Sequence, residues 1–181
     1  MQNIEKIEKD ILIRAKAGDL EAFECILSFY EKGIYNYCLR ILKNSHNAKD
    51  VTQETFIKVY THHKLIDPEK NIKTWIFTIA TNTAYDFLRS KKRKNEISLD
   101  TDNETILASK AYYPEEGLVS DVDKALEQIN QEYKKVLLLF YQQGFQYQEI
   151  SEILEMPINT VKTHISRGKE QLKDKLKNYL T

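Results

Sequence analysis

Glycine and proline are scarce in this chain, with five and three residues among 181. Both interrupt helices, so their scarcity, together with abundant lysine, glutamate, isoleucine and leucine, favours a helical protein. Long hydrophobic runs are also missing, and stretches such as VLLLFY at 136–141 are far too short to span a bilayer. The first ten residues, MQNIEKIEKD, contain no apolar segment of the kind that directs secretion.

Cysteine is nearly absent, and two residues, Cys25 and Cys38, cannot build a disulfide framework. This usage is typical of a reducing compartment, so we expect a cytoplasmic protein. Both cysteines lie among apolar residues in helical patterns, which predicts buried free thiols.

Residues that could support catalysis or bind a metal are not grouped in the sequence. The adjacent His62 and His63 would point about 100° apart on a helix and cannot share a ligand face. HExxH, P-loop, GxSxG and paired CxxC motifs do not occur. We therefore predict no enzyme activity, no cofactor and no metal site.

A formal net charge of zero conceals an uneven distribution of charge. Residues 1–94 carry a net charge of +5, residues 95–123 carry −7, and residues 124–181 carry +2. Two basic units therefore flank one acidic connector.

Hydrophobic periodicity divides the chain at similar places. Residues 1–94 follow a helical pattern, residues 95–120 lose it and contain Pro114 and Gly117, and residues 121–181 resume it. No segment alternates as a strand would. The prediction is an all-α protein of two helical domains, 1–94 and 121–181, joined by a flexible acidic linker over 95–120.

Residue types that start and stop helices set further expectations. Gly18 is predicted to end the first helix and Asp19 to cap the second. Ser45 or Asn47 is predicted to cap the third helix. One continuous helix is expected from Asp121 until Gly144 ends it.

The segment 72–94 combines two helix faces. The face expected to be buried contains Trp75, Ile76, Ile79, Thr83 and Phe87. The polar stripe contains Thr74, Thr78, Thr81, Asn82, Tyr85 and Arg89. The run RSKKRK at 89–94 has five cations and no acid, which suits phosphate binding but equally a solvated helix end that complements the helix dipole.

The segment EISEILEMPINTVKTHISRGKEQL at 149–172 indicates two short helices separated by a tight turn. Ile150, Ile153 and Leu154 are predicted to be buried in the first. Val161, Ile165, Gly168 and Leu172 form a narrow seam on the second, with Gly168 allowing close approach to the preceding helix. Asn159 or Thr160 is expected to cap the second helix. The pattern fits a DNA-reading helix-turn-helix, or an αα-hairpin with a solvated basic face.

Three segments, in this order, resemble motifs of the extracytoplasmic-function (ECF) group of σ70-type sigma factors. They are AKDVTQETFIKVY, TWIFTIATNTAYDFLRSKKRK and TVKTHISRGKEQL. The resemblance covers the chain from about Asp19 to Leu176. Within the group, the segments IATN and TVKT are most similar to the σW-like branch. His164 and Thr81 stand where the group usually has arginine, which leaves promoter sequence undetermined.

The resemblance implies a role for each segment. Residues expected to bind the β′ clamp of core RNA polymerase are Asp50, Gln53, Glu54 and Ile57. Residues expected to bind the promoter −10 element are Lys64, Asn71, Asn82, Tyr85, Arg89, Lys91, Lys92 and Arg93. Residues expected to bind the −35 element are Thr160, Lys162, Thr163, His164, Ser166, Arg167 and Lys169.

The implied function is to direct core RNA polymerase to specific promoters for transcription initiation. The implied partners are the core enzyme, through its β′ clamp and β flap, promoter DNA, and an anti-sigma factor that is often membrane-anchored. Two alternatives stay open on the residues alone. One is a stand-alone helix-turn-helix regulator that binds duplex operators, and the other is a protein-interaction module whose basic runs only aid solubility.

Overall fold

The computed structural model describes residues 9–98 and 118–177, with side chains placed for 9–93 and 121–177. All regular structure in these ranges is helical, which confirms the all-α prediction. The helices are α1 (Lys9–Lys16), α2 (Leu20–Leu42), α3 (Ser45–Thr61), α4 (Ile72–Ser98), α5 (Leu118–Glu127), α6 (Gln131–Leu137), α7 (Tyr147–Ile153) and α8 (Ile158–Lys177).

The chain divides into two compact units, Met1–Ala108 and Ser109–Thr181. Helix α4 continues to Ser98, past the boundary predicted at residue 94, and α5 begins at Leu118 rather than at 121. Most of the predicted acidic linker, residues 99–117, lies outside the described residues. The predicted domain boundaries therefore stay predictions.

Local capping explains where α2 and α3 begin. Gly18, with φ of 91°, ends α1, and the Asp19 carboxylate accepts a hydrogen bond from the Glu21 amide at 2.9 Å. A hydrogen bond from the Arg14 guanidinium also lowers the pKa of Asp19. Both predictions for this junction are confirmed. The cap of α3 is Asn44, whose side-chain oxygen accepts from the Asn47 amide at 2.9 Å, so the expectation of Ser45 or Asn47 was wrong.

The first unit is held together around Tyr37, which is completely buried between α2 and α4. Its ring lies 5.5 Å from the Phe77 ring in an edge-to-face arrangement. Its hydroxyl lies 3.0 Å from the Thr81 hydroxyl, which itself donates to the Phe77 carbonyl at 2.7 Å. Because the single Thr81 proton is committed to that carbonyl, Tyr37 is the donor of the shared bond.

The buried face of α4 agrees only in part with the one predicted. Ile76 is buried as expected, and Phe77, Ala80, Thr81 and Ala84 are buried as well, whereas Trp75, Ile79 and Phe87 are only half-buried. Thr74 and Thr81, expected in the polar stripe, also lie in the interior, and Thr83 is buried as expected. The buried face is thus rotated by about 100°, one residue, from the expected one.

Most buried threonines of α3 and α4 bond through their hydroxyls to carbonyls of their own helix, although the buried Thr74 hydroxyl has no partner among the described residues. On α4, Thr83 donates to Ile79 at 2.8 Å, and on α3, Thr52 and Thr55 donate to Ala48 and Val51 at 2.7 Å. A hydroxyl satisfied in this way is buried at little cost.

The second unit begins with two helices where one was predicted. Helix α5 ends at Glu127, and Asn130 caps α6 by accepting from the Glu132 amide at 2.8 Å. Helix α6 continues into a π-helical segment, Leu138–Gln142, before Gly144, with φ of 71°, ends it as predicted. No helix in the two described ranges combines the length and apolar composition needed to cross a membrane.

Replacing Thr81 by valine should destabilise the first unit by about 1–3 kcal/mol, because the buried Tyr37 hydroxyl loses its acceptor. Urea unfolding followed by fluorescence of Trp75, the single tryptophan, measures this. Thr78→Val is the matched control, since the Thr78 hydroxyl bonds to the Thr74 carbonyl of its own helix at 2.9 Å. Equal costs for the two variants would contradict the assignment.

The two cysteines should differ in reactivity. Cys38 is buried as predicted, and burial raises its pKa to about 12, whereas Cys25 is exposed, so the expectation of burial was wrong there. Because the thiolate is the reactive form, a thiol reagent at pH 8 should label Cys25 rapidly and Cys38 only on unfolding. Cys25→Ser should abolish the rapid phase. Two equally fast thiols in the folded protein would contradict this.

Candidate functional site

Helix α3 presents one buried and one exposed face. Ala48, Val51, Thr55 and Val59 are buried, as their spacing predicts. Asp50, Gln53, Glu54 and Ile57, the residues expected to bind polymerase, lie together on the exposed face. Ile57 exposes 62% of its surface, and Glu54 forms an ion pair with Lys58 at 2.7 Å. A face that mixes carboxylates, an amide and an exposed isoleucine is suited to binding another protein.

Two further exposed apolar residues follow Ile57 in the chain. Tyr60 exposes 41% of its surface and Leu65 exposes 66%. The Tyr60 ring packs against the Phe23 ring at 4.9 Å and is thereby held in place. Neither residue was predicted as part of a site, although Tyr60 lies three residues after Ile57 and so on neighbouring helix surface.

The segment between α3 and α4 holds Lys64 and Asn71, both exposed. Ile66 is buried and anchors this segment, and the Asp67 carboxylate accepts from the Glu69 amide at 3.0 Å. The Asn71 side chain is partly committed, since its oxygen accepts from the Lys73 amide at 3.0 Å at the start of α4.

Helix α4 carries the other residues predicted to bind the −10 element. Asn82 and Arg89 are exposed and Tyr85 is half-buried. With Arg93 they lie within about 80° of one another around the helix, whereas Lys91 points to the opposite side. Arg89 forms an ion pair with Asp86 at 2.8 Å, so part of its charge is already compensated.

Helices α7 and α8 form the predicted helix-turn-helix. A capping box starts α7, in which the Gln146 amide donates to the Glu149 carboxylate at 2.8 Å. In the turn, Glu155 adopts φ of 50°, and the Ser151 hydroxyl donates to the Met156 carbonyl at 2.6 Å.

Helix α8 begins at Ile158, where the Pro157 carbonyl accepts from the Thr160 amide at 2.8 Å. Asn159 and Thr160 therefore lie inside the first turn, so the expectation that one of them caps α8 was wrong. Ile150 and Ile153 are buried on α7 as predicted, but Leu154 is only half-buried.

The exposed face of α8 brings cations and short hydroxyls together. Lys162, Thr163, Ser166, Arg167 and Lys169 are all exposed. Within the described ranges, the three cations form no ion pair. The Thr163 hydroxyl donates to the Asn159 carbonyl at 2.9 Å, which leaves its lone pairs to accept. Such a face can neutralise phosphates and reach base edges.

His164 differs from its neighbours. It is half-buried, and its ring lies 5.1 Å from the Tyr133 ring of α6. The predicted seam is confirmed at Val161, Ile165 and Gly168, while Leu172 is half-buried. Gly168 approaches α6 rather than α7, since an added Cβ would lie 3.0 Å from Leu137 and 3.1 Å from Tyr133.

The fold and these surfaces define an all-helical protein whose second unit contains a helix-turn-helix. Residues 28–94 match the family Sigma-70 region 2, and residues 120–172 match Sigma-70, region 4. The ECF sigma factor SigW of Bacillus subtilis is 32% identical over 97% of this chain and 100% of its own length. The ECF sigma-E factor of Haemophilus influenzae is 28% identical over 93% and 95%.

Solved structures share the fold. The sigma factor RpoE of Bartonella quintana, crystallised with the anti-sigma factor NepR, has a TM-score of 0.75 at 24% identity, over 86% of this chain and 96% of its own. CnrH in complex with the cytosolic domain of CnrY has a TM-score of 0.73 at 17% identity, over 94% and 97%.

The chain therefore belongs to the ECF group of σ70-family RNA polymerase sigma factors. It acts as a sigma factor, which binds core RNA polymerase and directs it to promoters to start transcription. The matches to two sigma regions within one chain disfavour a stand-alone helix-turn-helix regulator.

Proposed function

We propose that this sigma factor reads the promoter −35 element with the exposed face of α8. The observation that carries the proposal is the set of cations among hydroxyls on that face, which form no ion pair with any residue that the structure describes. An isolated cation gains most from a phosphate, because no internal ion pair has to be broken. The residues assigned are Thr160, Lys162, Thr163, Ser166, Arg167 and Lys169. Thr160 and His164 are both half-buried, and His164 stands apart because its ring packs against Tyr133.

The −10 element is assigned to α4 and the segment before it. The exposed Asn82 offers both a donor and an acceptor to a base edge. Arg89, Lys92 and Arg93 supply charge for the backbone, and Tyr85 supplies an aromatic edge. Lys64 and Asn71 are assigned to a flipped base of the melted strand, since bases removed from the stack can be held individually. Lys91, on the opposite side of α4, contributes only to the general positive potential.

The exposed face of α3 is assigned to the β′ clamp of the core enzyme through Asp50, Gln53, Glu54 and Ile57. This is supported by their joint exposure on a helix whose other face is buried. Exposed Ile57 supplies apolar contact, and the acidic and amide groups supply specificity. The second unit is assigned to the β flap on the family resemblance alone.

The acidic segment 95–120 is assigned to the basic cleft and RNA exit path of the polymerase, where its charge aids docking. The protein works in the cytoplasm with the core enzyme, which performs the chemistry of RNA synthesis. An anti-sigma factor, often membrane-anchored in this group, is assigned as a regulatory partner. The similarity to a sigma factor solved with its anti-sigma factor supports this.

Run-off transcription on a promoter library tests the whole assignment. Core polymerase with this chain should start RNA from a subset of templates that core alone ignores. The selected templates should share two conserved elements with a fixed spacing. If no template gains a transcript, the proposed function is wrong.

Arg167→Ala should weaken discrimination at the −35 element by about 1–3 kcal/mol, because it removes a donor from the exposed face of α8. Transcription from −35 variants of a selected promoter measures this. Lys173→Ala is the control, since Lys173 is an exposed cation that lies one helical turn beyond Lys169, the last residue of α8 assigned to the −35 element. Unchanged discrimination in the Arg167 variant would contradict the −35 assignment.

The double variant Asp50→Ala, Gln53→Ala should weaken binding to core polymerase by roughly thirtyfold, because it removes two polar contacts of about 1 kcal/mol each. Competition with a labelled sigma factor for core gives the affinity, and circular dichroism checks the fold. Ser45→Ala is the control, because Ser45 is exposed on α3 about 80° around the helix from Gln53 and about 140° from Asp50. Unchanged core affinity would show that the clamp-binding face lies elsewhere.

A further inference from the structure

One row of residues along α8 contacts α6, although the last of them, Gln171, is also exposed to solvent. It comprises His164, Gly168 and Gln171, which lie within about 60° of one another around the helix. The His164 ring meets Tyr133, the Gly168 backbone meets Tyr133 and Leu137, and the Gln171 side-chain oxygen accepts from the Asn130 amide at 3.2 Å. These three contacts thus fix the position of α8 against α6.

Gly168 is the point of closest approach. An added Cβ would lie 3.0 Å from Leu137 Cδ1 and 3.1 Å from Tyr133 Cβ, tighter than ordinary contact. With no side chain between them, the α8 backbone rests directly on α6 at this point. A contact at one point fixes the distance between two helices but leaves their relative tilt to other residues.

His164 lies one helical turn before Gly168, about 6 Å along the axis towards the DNA-facing end of α8. Its ring meets the Tyr133 ring edge-to-face, at 64° between planes. Its Nδ1 is fully buried and finds no hydrogen-bond partner among the described residues. One ring nitrogen is therefore turned into the protein, and only the Nε2 edge can reach outward.

We propose that His164 is a positioning residue, which sets the tilt of α8 by packing on Tyr133 and does not contact promoter DNA. The ring keeps α8 and α6 apart at this point, and α8 tilts about its contact with α6 at Gly168. Lys162, Thr163 and Arg167 are exposed on the same helix, so a change in its tilt moves all three relative to the groove. The proposal rests on the assignment of α8 to the −35 element.

Two substitutions of His164 separate packing from DNA contact. His164→Phe keeps a flat ring against Tyr133 but removes both nitrogens, whereas His164→Gln keeps a donor near the Nε2 position but removes the ring. If His164 positions the helix, Phe should retain affinity within about twofold and Gln should lose roughly three- to tenfold, the scale of one aromatic pair. If Nε2 contacts DNA, the order is reversed and the proposal is overturned.

Equilibrium binding of the reconstituted holoenzyme, with the full chain, to a fluorescent duplex selected in the run-off screen provides the readout. The titration is repeated with duplexes that carry single-base changes in the −35 element. His164→Gln should lower affinity and alter the ranking of these duplexes, because a new tilt of α8 changes where Lys162, Thr163 and Arg167 meet the groove. A loss of stability alone would leave the ranking as it is, so an unchanged ranking would overturn the proposal.

Tyr133→Leu provides an independent test should His164→Phe fail to fold by circular dichroism. It should reproduce the loss seen with His164→Gln, and the double variant should lose no more than either single variant, because both remove one contact. Additive losses would overturn the proposal. Arg167→Ala distinguishes a failure of the −35 assignment from a failure of the role proposed for His164. If this variant leaves −35 binding unchanged, the assignment of α8 to DNA is wrong.

Discussion

Burial of one face of each helix is the constraint on which the functional surfaces of this protein depend. On α3, the buried row from Ala48 to Val59 forces Asp50, Gln53 and Ile57 outward together. On α8, the buried Val161 and Ile165 do the same for Lys162 and Arg167. Each exposed surface is therefore as rigid as the packing behind it, which preorganises it for its partner.

Threonine places hydroxyl groups in the interior of the first unit, among large apolar side chains. Four of the five buried threonines on α3 and α4 bond to carbonyls of their own helix, and Thr81 additionally accepts from Tyr37. Small residues at these positions bring the helices close, while the satisfied hydroxyls avoid the cost of burying unpaired polar groups. Larger residues such as Trp75 and Ile79 are displaced to the margin of the core.

In the second unit, the close approach of two helices depends on a glycine and not on threonines. Gly168 lets the α8 backbone rest on α6, and the Gln171 oxygen joins α8 to the amide of Asn130, the cap of α6. Helix α8 is thus held by the row of residues that contacts α6, while its exposed face carries charge. This arrangement accounts for the half-burial of His164, which family resemblance alone would place among the DNA contacts.

Periodicity and capping residues determined the helical class, the junction at Gly18 and Asp19, and the exposed and buried faces of α3, because these depend on neighbours along the chain. The ordered motifs determined the family. Only tertiary structure decided which face of α4 is buried, that Cys25 is exposed and that His164 turns towards Tyr133. These outcomes depend on residues far away in sequence: Thr81 is buried because Tyr37 lies opposite it, and His164 packs inward because Gly168 admits α6. The pattern of residues along the chain does not specify such contacts between distant positions.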